Sequence, residues 1–239
     1  MGKRKTAWLV TGILALAPLA YGMGATALIR LTNYKVMKRI PAKRGIALTF
    51  DDGPHPVYTL RLLDLLQQYD IKATFFVVGE KVRMYPKIIE RMYNEGHQIG
   101  IHHDRHTSSW LLTPSQLEKE IRETHRAISN VIGESPTVYR PPWGFMNAFT
   151  LYYSKPYQIV FWTHVFQDWK VERCEDGLLD GLRNVPANGS IILLHDDGTN
   201  PGADDLAPVH MLDKLEIYLE EAVKKETEFV VVPPYNHIK

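Results

Sequence analysis

Cysteine is almost missing from this chain of 239 residues: Cys174 stands alone. A lone cysteine excludes an intrachain disulfide and says nothing about redox compartment. An excess of one charge sign is missing as well. Twenty-eight Lys and Arg stand against 27 Asp and Glu, for a net charge of +1, which excludes a basic nucleic-acid-binding tail and an acidic disordered segment. Glycine (16) and proline (15) are not in excess, and no repeat or low-complexity tract is present, so a fibrous chain is excluded too. A long stretch near the N-terminus lacks charge altogether. From Thr6 to Ile29 run 24 consecutive residues without Asp, Glu, Lys or Arg, preceded by Lys3, Arg4 and Lys5.

As a helix that run would be about 36 Å long, enough to cross a hydrocarbon layer of roughly 30 Å. The basic start, the apolar body from Trp8 to Tyr21 and the small residues Ala25-Thr26-Ala27 also fit a cleavable secretory signal. The sequence therefore predicts a signal peptide or signal-anchor transmembrane helix over 1–29, a basic linker over 30–44 and a folded domain over 45–239. Arg30, Lys35, Lys38, Arg39, Lys43 and Arg44 follow the segment, and loop charge alone would keep the domain inside. Large C-terminal domains translocate largely regardless of charge, so an extracytoplasmic domain is expected, at the cell membrane or secreted after cleavage behind Ala27. Residues 30–239 carry a net charge of −2, and no nucleic-acid partner is predicted.

Beyond the linker, strand-length apolar runs alternate with helical patterns. Gly45 to Phe50, Ala73 to Val78, His97 to Ile101, Val138 to Arg140, Ile159 to Trp162, Ser190 to Leu194 and Phe229 to Val232 read as strands. Tyr58 to Tyr69, Pro86 to Glu95, a segment opening at Thr113-Pro114 and Leu206 to Lys225 read as helices. The alternation predicts a parallel α/β architecture, with a barrel and a doubly wound sheet both open. In either, chemistry sits just past the strand C-termini. There the sequence places Asp51 and Asp52; His102, His103, Asp104 and His106; Arg140; Asp168; and His195, Asp196 and Asp197.

His102 and His106 are four residues apart, a spacing at which one ion can reach both imidazoles. With Asp52 they would offer two nitrogens and a carboxylate, a set suited to zinc or a similar divalent ion with a position left open for water. Asp51, pointing elsewhere than its neighbour, is free for a separate role.

Five motifs now stand together: Thr49-Phe50-Asp51-Asp52-Gly53-Pro54; Gly96-His97-Gln98-Ile99-Gly100 leading to His102 and His106; Arg140-Pro141-Pro142-Trp143-Gly144; Asp168-Trp169; and Leu193-Leu194-His195-Asp196. In content and order they resemble the NodB-type polysaccharide deacetylases, carbohydrate esterase family four, across Thr49 to Asp196. The resemblance implies a distorted (β/α) barrel with about seven strands behind the N-terminal membrane segment. It implies Asp51 as general base, Asp52, His102 and His106 as metal ligands, and His195 as general acid. Arg140 would orient Asp51, and Asp168 would pair with His195 and raise its pKa. Trp143 and Trp169 would line the sugar groove, the Trp143 N–H would help hold the oxyanion, and Leu193 would bound the acetyl methyl. The cofactor implied is one divalent metal ion, zinc first, with cobalt, manganese or nickel as alternatives.

Three positions depart from the family pattern: His103 where Ser or Thr is usual, Ile101 where Asn is common, and Val165 where many members carry Asp. None removes a group the chemistry needs. The expected activity is removal of N-acetyl groups from cell-envelope polysaccharide, peptidoglycan first and chitin-type N-acetylglucosamine next. An O-acetyl esterase acting on a xylan-type polymer uses the same residues. A non-catalytic sugar-binding module would not need the base, ligands and acid all intact.

Overall fold

The computed structural model describes residues 19–41 and 44–233. Eight parallel strands form one curled sheet in the order β1-β6-β5-β4-β3-β2-β8-β7. They are β1 (Val36–Met37), β2 (Gly45–Asp51), β3 (Thr74–Val77), β4 (Gln98–Ile101), β5 (Val138–Tyr139), β6 (Gln158–Val160), β7 (His164–Val165) and β8 (Asn188–His195). The barrel is thus only half made: β1 and β7 end the order and, among the described residues, do not pair with each other. Two strands exceed the expected pattern. β1 lies inside the stretch read as a linker and pairs Val36 with Ile159 and Met37 with Val160, while β7 pairs His164 with Ile192. The apolar run at Phe229 to Val232, expected to be a strand, makes only an isolated bridge from Phe229 to Ile46.

Side-chain alternation explains where the core sits and where the chemistry begins. Along β2, Ile46, Leu48 and Phe50 face the large core under the helices, whereas Ala47 belongs to the small concave cluster with Phe76, Val138, Val160 and Ile191. Thr49 and Asp51 share the face of Ala47, because alternate residues of a strand point the same way. The concave face is thus apolar at its foot and ionisable at the strand C-terminus. β2 pairs along its length with β8, which sets Asp51 beside His195.

Helices α2 (Tyr58–Gln68), α3 (Gly79–Met84), α4 (Pro86–Asn94), α5 (Pro114–Ile132) and α6 (Ala207–Lys224) accompany the sheet, counted after α1 (Ala25–Thr32). Of the leucines at helical spacing in α2, Leu63 and Leu66 are fully buried and Leu60 is partly so, with Leu62 fully buried beside them. α5 begins where Thr113 was expected to start it. The Thr113 side chain accepts from the Gln116 N–H and Gln116 reaches back to the Thr113 N–H, closing a capping box.

Only the last part of the charge-free N-terminal run is described. Its part before Leu19 lies outside the described residues. Ala20–Gly24 forms a π-helical turn that continues into α1, and no helix among the described residues is long and apolar enough to cross a membrane. Gly22, Thr26 and Ile29 are buried against the domain. Residues 20–41 pack on the domain and lend it the strand β1.

Candidate active site

The strand C-termini converge on a groove of about 450 Å³ lined by Asp51, Asp52, His102, His106, Trp143, Trp169, Leu193 and His195. Arg140 and Asp168 stand behind it, fully buried. All ten expected residues thus meet in one place, eight at the surface of the groove and two supporting it. Phe145 and the loop Asn200, Pro201, Gly202 and Ala203 also line it. The sequence carries no signal for that loop, which has neither a motif nor a strand end to mark it. Phe145, two residues beyond the tryptophan of the arginine motif, passes as an ordinary core aromatic.

Arg140 organises the floor. Its Nη1 donates to Asp51 Oδ1 at 2.6 Å and to Thr49 Oγ1 at 2.9 Å, Nε to the Val160 carbonyl at 3.1 Å, and Nη2 to the Phe161 carbonyl at 3.1 Å. The guanidinium lies 4.2 Å over the Phe76 ring. Burial pulls its pKa down and Asp51 opposes that; an arginine stays charged at any physiological pH. Asp51 is thereby held by one oxygen in a fixed fork.

Beside it, Asp52 Oδ1 lies 2.9 Å from His106 Nε2 and 3.3 Å from His102 Nε2. The ligating atoms of these three residues fall within 4.8 Å of one another. Asp52 adopts φ 81° and His106 φ 52°, left-handed conformations that turn both side chains inward and are uncommon without a functional reason.

On the other side, Asp168 accepts from His195 twice, from the backbone N–H at 2.7 Å and from Nδ1 at 3.0 Å. Burial alone would lower the His195 pKa, but the charge and hydrogen bond of Asp168, followed by Asp52 and Asp51, raise it to about 9. Trp169 stands edge-on to His195 at 5.2 Å, and Trp143 edge-on to His106 at 4.4 Å.

The sequence profile of the polysaccharide deacetylases matches residues 38–162. The chain belongs to the polysaccharide deacetylase family. It is 37% identical over 156 residues to the peptidoglycan-N-acetylmuramic acid deacetylase PdaC of Bacillus subtilis, covering 65% of this chain and 33% of that one. A peptidoglycan-N-acetylglucosamine deacetylase of Bacillus cereus is 34% identical over 189 residues, 77% of this chain and 88% of that one. Among solved structures, the Bc1960 peptidoglycan N-acetylglucosamine deacetylase superposes with a TM-score of 0.72 at 29% identity, over 86% of this chain and 94% of that one. Relative lengths differ widely, since the chain spans only a third of PdaC.

Deacetylases of this family are metal-dependent, and the donor set here fits a cation. His102 Nδ1 lies 2.7 Å from the Arg140 carbonyl, so this nitrogen must donate and Nε2 carries the lone pair. Asp52 Oδ1, which His102 Nε2 faces, is buried and makes no well-angled hydrogen bond among the described residues. A positive ion shared between Nε2 and Oδ1 would satisfy both. Burial pushes the Asp52 carboxyl up, but His106 and His102 outweigh that and hold it well below the usual carboxylate range, so it is anionic and ready to ligate.

His103, whose role the sequence leaves open, turns away from the groove. Its Nδ1 meets the Thr107 carbonyl at 2.8 Å and Nε2 the Tyr139 hydroxyl at 2.7 Å, and burial pushes its pKa to about 3. A neutral imidazole that donates through Nδ1 and accepts at Nε2 staples the loop from His102 to Thr107 to β5. It replaces a hydroxyl residue as a loop brace.

Proposed function

We propose that the protein is a metal-dependent hydrolase that removes N-acetyl groups from cell-envelope polysaccharide, peptidoglycan first and chitin-type N-acetylglucosamine next. One observation carries the reading: two ionisable groups, Asp51 held by Arg140 and His195 held by Asp168, flank one ligand cluster in one groove. A carboxylate aimed by a fixed cation and an imidazole kept protonated by a carboxylate are suited to act as base and acid. The peptidoglycan deacetylases among its relatives support the substrate class.

Asp52, His102 and His106 would hold the divalent ion, zinc first, which supplies the Lewis acidity that polarises the acyl carbonyl and acidifies water. Asp51 accepts the proton of the attacking water, and Arg140 keeps its carboxylate aimed. His195, protonated on both nitrogens, gives its Nε2 proton to the departing amine as the C–N bond breaks, while Asp168 holds Nδ1. Acetate and a free amino sugar result. The Trp143 N–H would meet the developing oxyanion, Trp143 and Trp169 would flank the sugar rings, and Leu193 would close on the acetyl methyl.

The test uses the full-length protein. Acetate release is followed on peptidoglycan, N-acetylglucosamine oligomers and acetylated xylan, with bound metal measured in parallel. Release from the first two, abolished by chelation and reduced at least 100-fold by Asp51→Asn and by His195→Ala, is expected from the size of acid–base contributions. Acetate from xylan alone would establish the esterase alternative, and release from none would defeat the enzyme reading.

We infer a location at the membrane with the domain outside, and the exposed side of the N-terminal helix supports the membrane contact. Leu19, Met23, Leu28 and Leu31 are each more than half exposed, so the helix is apolar on its outer face as well as its inner one, and water is a poor neighbour for that outer face.

A further inference from the structure

Helix α1 and the turn before it form the back of the groove wall from Trp143 to Ala148. The Thr26 hydroxyl donates to the Met146 carbonyl at 2.6 Å and accepts from the Met146 N–H and from Trp110 Nε1, both at 2.9 Å. That uses its full hydrogen-bonding capacity. The Tyr21 carbonyl accepts from the Ala148 N–H at 3.0 Å, and the Tyr21 hydroxyl donates to the Leu112 carbonyl at 2.7 Å. Gly22 lies so close to Trp110 that a Cβ would meet its ring at 2.9 Å, and Trp110 in turn stacks at 4.0 Å on Phe145 of the groove.

Arg30, the single charged residue of α1, turns inward. Its Nη2 donates to the Trp143 carbonyl at 3.2 Å and to the Gly144 carbonyl at 3.1 Å, and its guanidinium lies 5.1 Å over the Phe161 ring. The turn it grips is strained, with Trp143 at φ 55° and Gly144 at φ 64°. A tryptophan in the left-handed region is strained and persists only where its surroundings impose it. Gly144 suits the turn, since its φ is left-handed and a Cβ there would lie 3.0 Å from the Trp162 ring. Among the described residues Arg30 Nε is buried without a partner, a cost that stability alone does not account for.

We propose that Arg30 is a positioning residue of the active site, which holds the Trp143–Gly144 turn so that the Trp143 indole stays against His106 and its backbone faces the groove. This inference rests on the deacetylase reading. In the full-length protein, Arg30→Gln should lower kcat about tenfold with KM within twofold, as expected for an interaction that acts on the transition state. The melting temperature and bound metal should change little, Arg30→Lys should recover part of the loss, and added ethylguanidinium should recover part in Arg30→Ala. Iodide quenching of the Trp143 emission, identified by difference from Trp143→Phe, should rise in Arg30→Gln as the indole loosens. Wild-type kcat together with unchanged quenching in Arg30→Gln would overturn the proposal, as would a loss equal to the unfolded fraction. A wild type that releases acetate from no substrate would defeat the deacetylase reading alone, because the quenching still reports whether Arg30 holds Trp143.

Discussion

Two carboxylate pairs do opposite things although both join an aspartate to a cation. Arg140 is permanently charged and spreads its donors over Asp51, Thr49 and two carbonyls, so Asp51 is oriented and keeps Oδ2 for a proton. His195 is titratable, and Asp168 holds it protonated to about pH 9, above its ordinary 6.5. The deacetylation rate should therefore hold on the alkaline side of 6.5 and fall as His195 loses its proton, with a bound cation pulling that limb downward by repulsion. Asp168→Asn should shift the alkaline limb of kcat/KM toward acid; a pH profile checks this, and an unmoved limb would break the pairing. The same group enters stability. Because its folded pKa is raised, its contribution is fully present below the unfolded value of about 6.5 and is lost as pH rises through about 9. In the metal-free protein, the fall in urea midpoint across that window should be smaller for Asp168→Asn than for wild type.

Among the elements, α5 shows local chemistry at its most legible. Thr113, Pro114 and Gln116 announce a helix start, and the structure closes the box they announce. Thr113→Ala should cost about 1 kcal/mol of stability while leaving kcat unchanged, because α5 begins outside the groove; denaturant melts and acetate assays together check it. Other elements were less legible. β1 has two residues within a basic stretch, too short for any periodicity, and it becomes a strand only because β6 offers an edge to pair with. The converse holds at Phe229 to Val232, where an apolar run of β-branched residues makes one bridge and then leaves the sheet: the Val232 N–H bonds the Thr74 hydroxyl.

For the whole molecule, the packing of α1 favours an anchor over a cleaved signal as the proposal to test. Cleavage behind Ala27 would remove Tyr21, Gly22 and Thr26, three residues that strap the groove wall. Retention of an intact N-terminus is the proposed outcome, with the protein in the membrane fraction and its groove outside the cell. N-terminal sequencing of the mature protein checks it, and a new terminus at Leu28 on an active enzyme would overturn it.

The sequence by itself determined where the candidate chemistry lies: which ionisable residues follow which strands, and the spacing that lets His102 and His106 share an ion with Asp52, while the resemblance to the family implied the acid and base roles of His195 and Asp51. Such information is local, because a strand end is marked by the residues that stop it, and motifs keep their spacing whatever the fold does around them. Tertiary structure alone decided the rest. That the sheet stays half open, that the Asn200 loop reaches the groove, that His103 braces a loop, and that the uncharged run packs its inner face on the domain through Thr26, with Arg30 just beyond it, all depend on contacts between distant segments. Hydropathy records only that a residue avoids water, and a packed helix and a membrane helix avoid it equally.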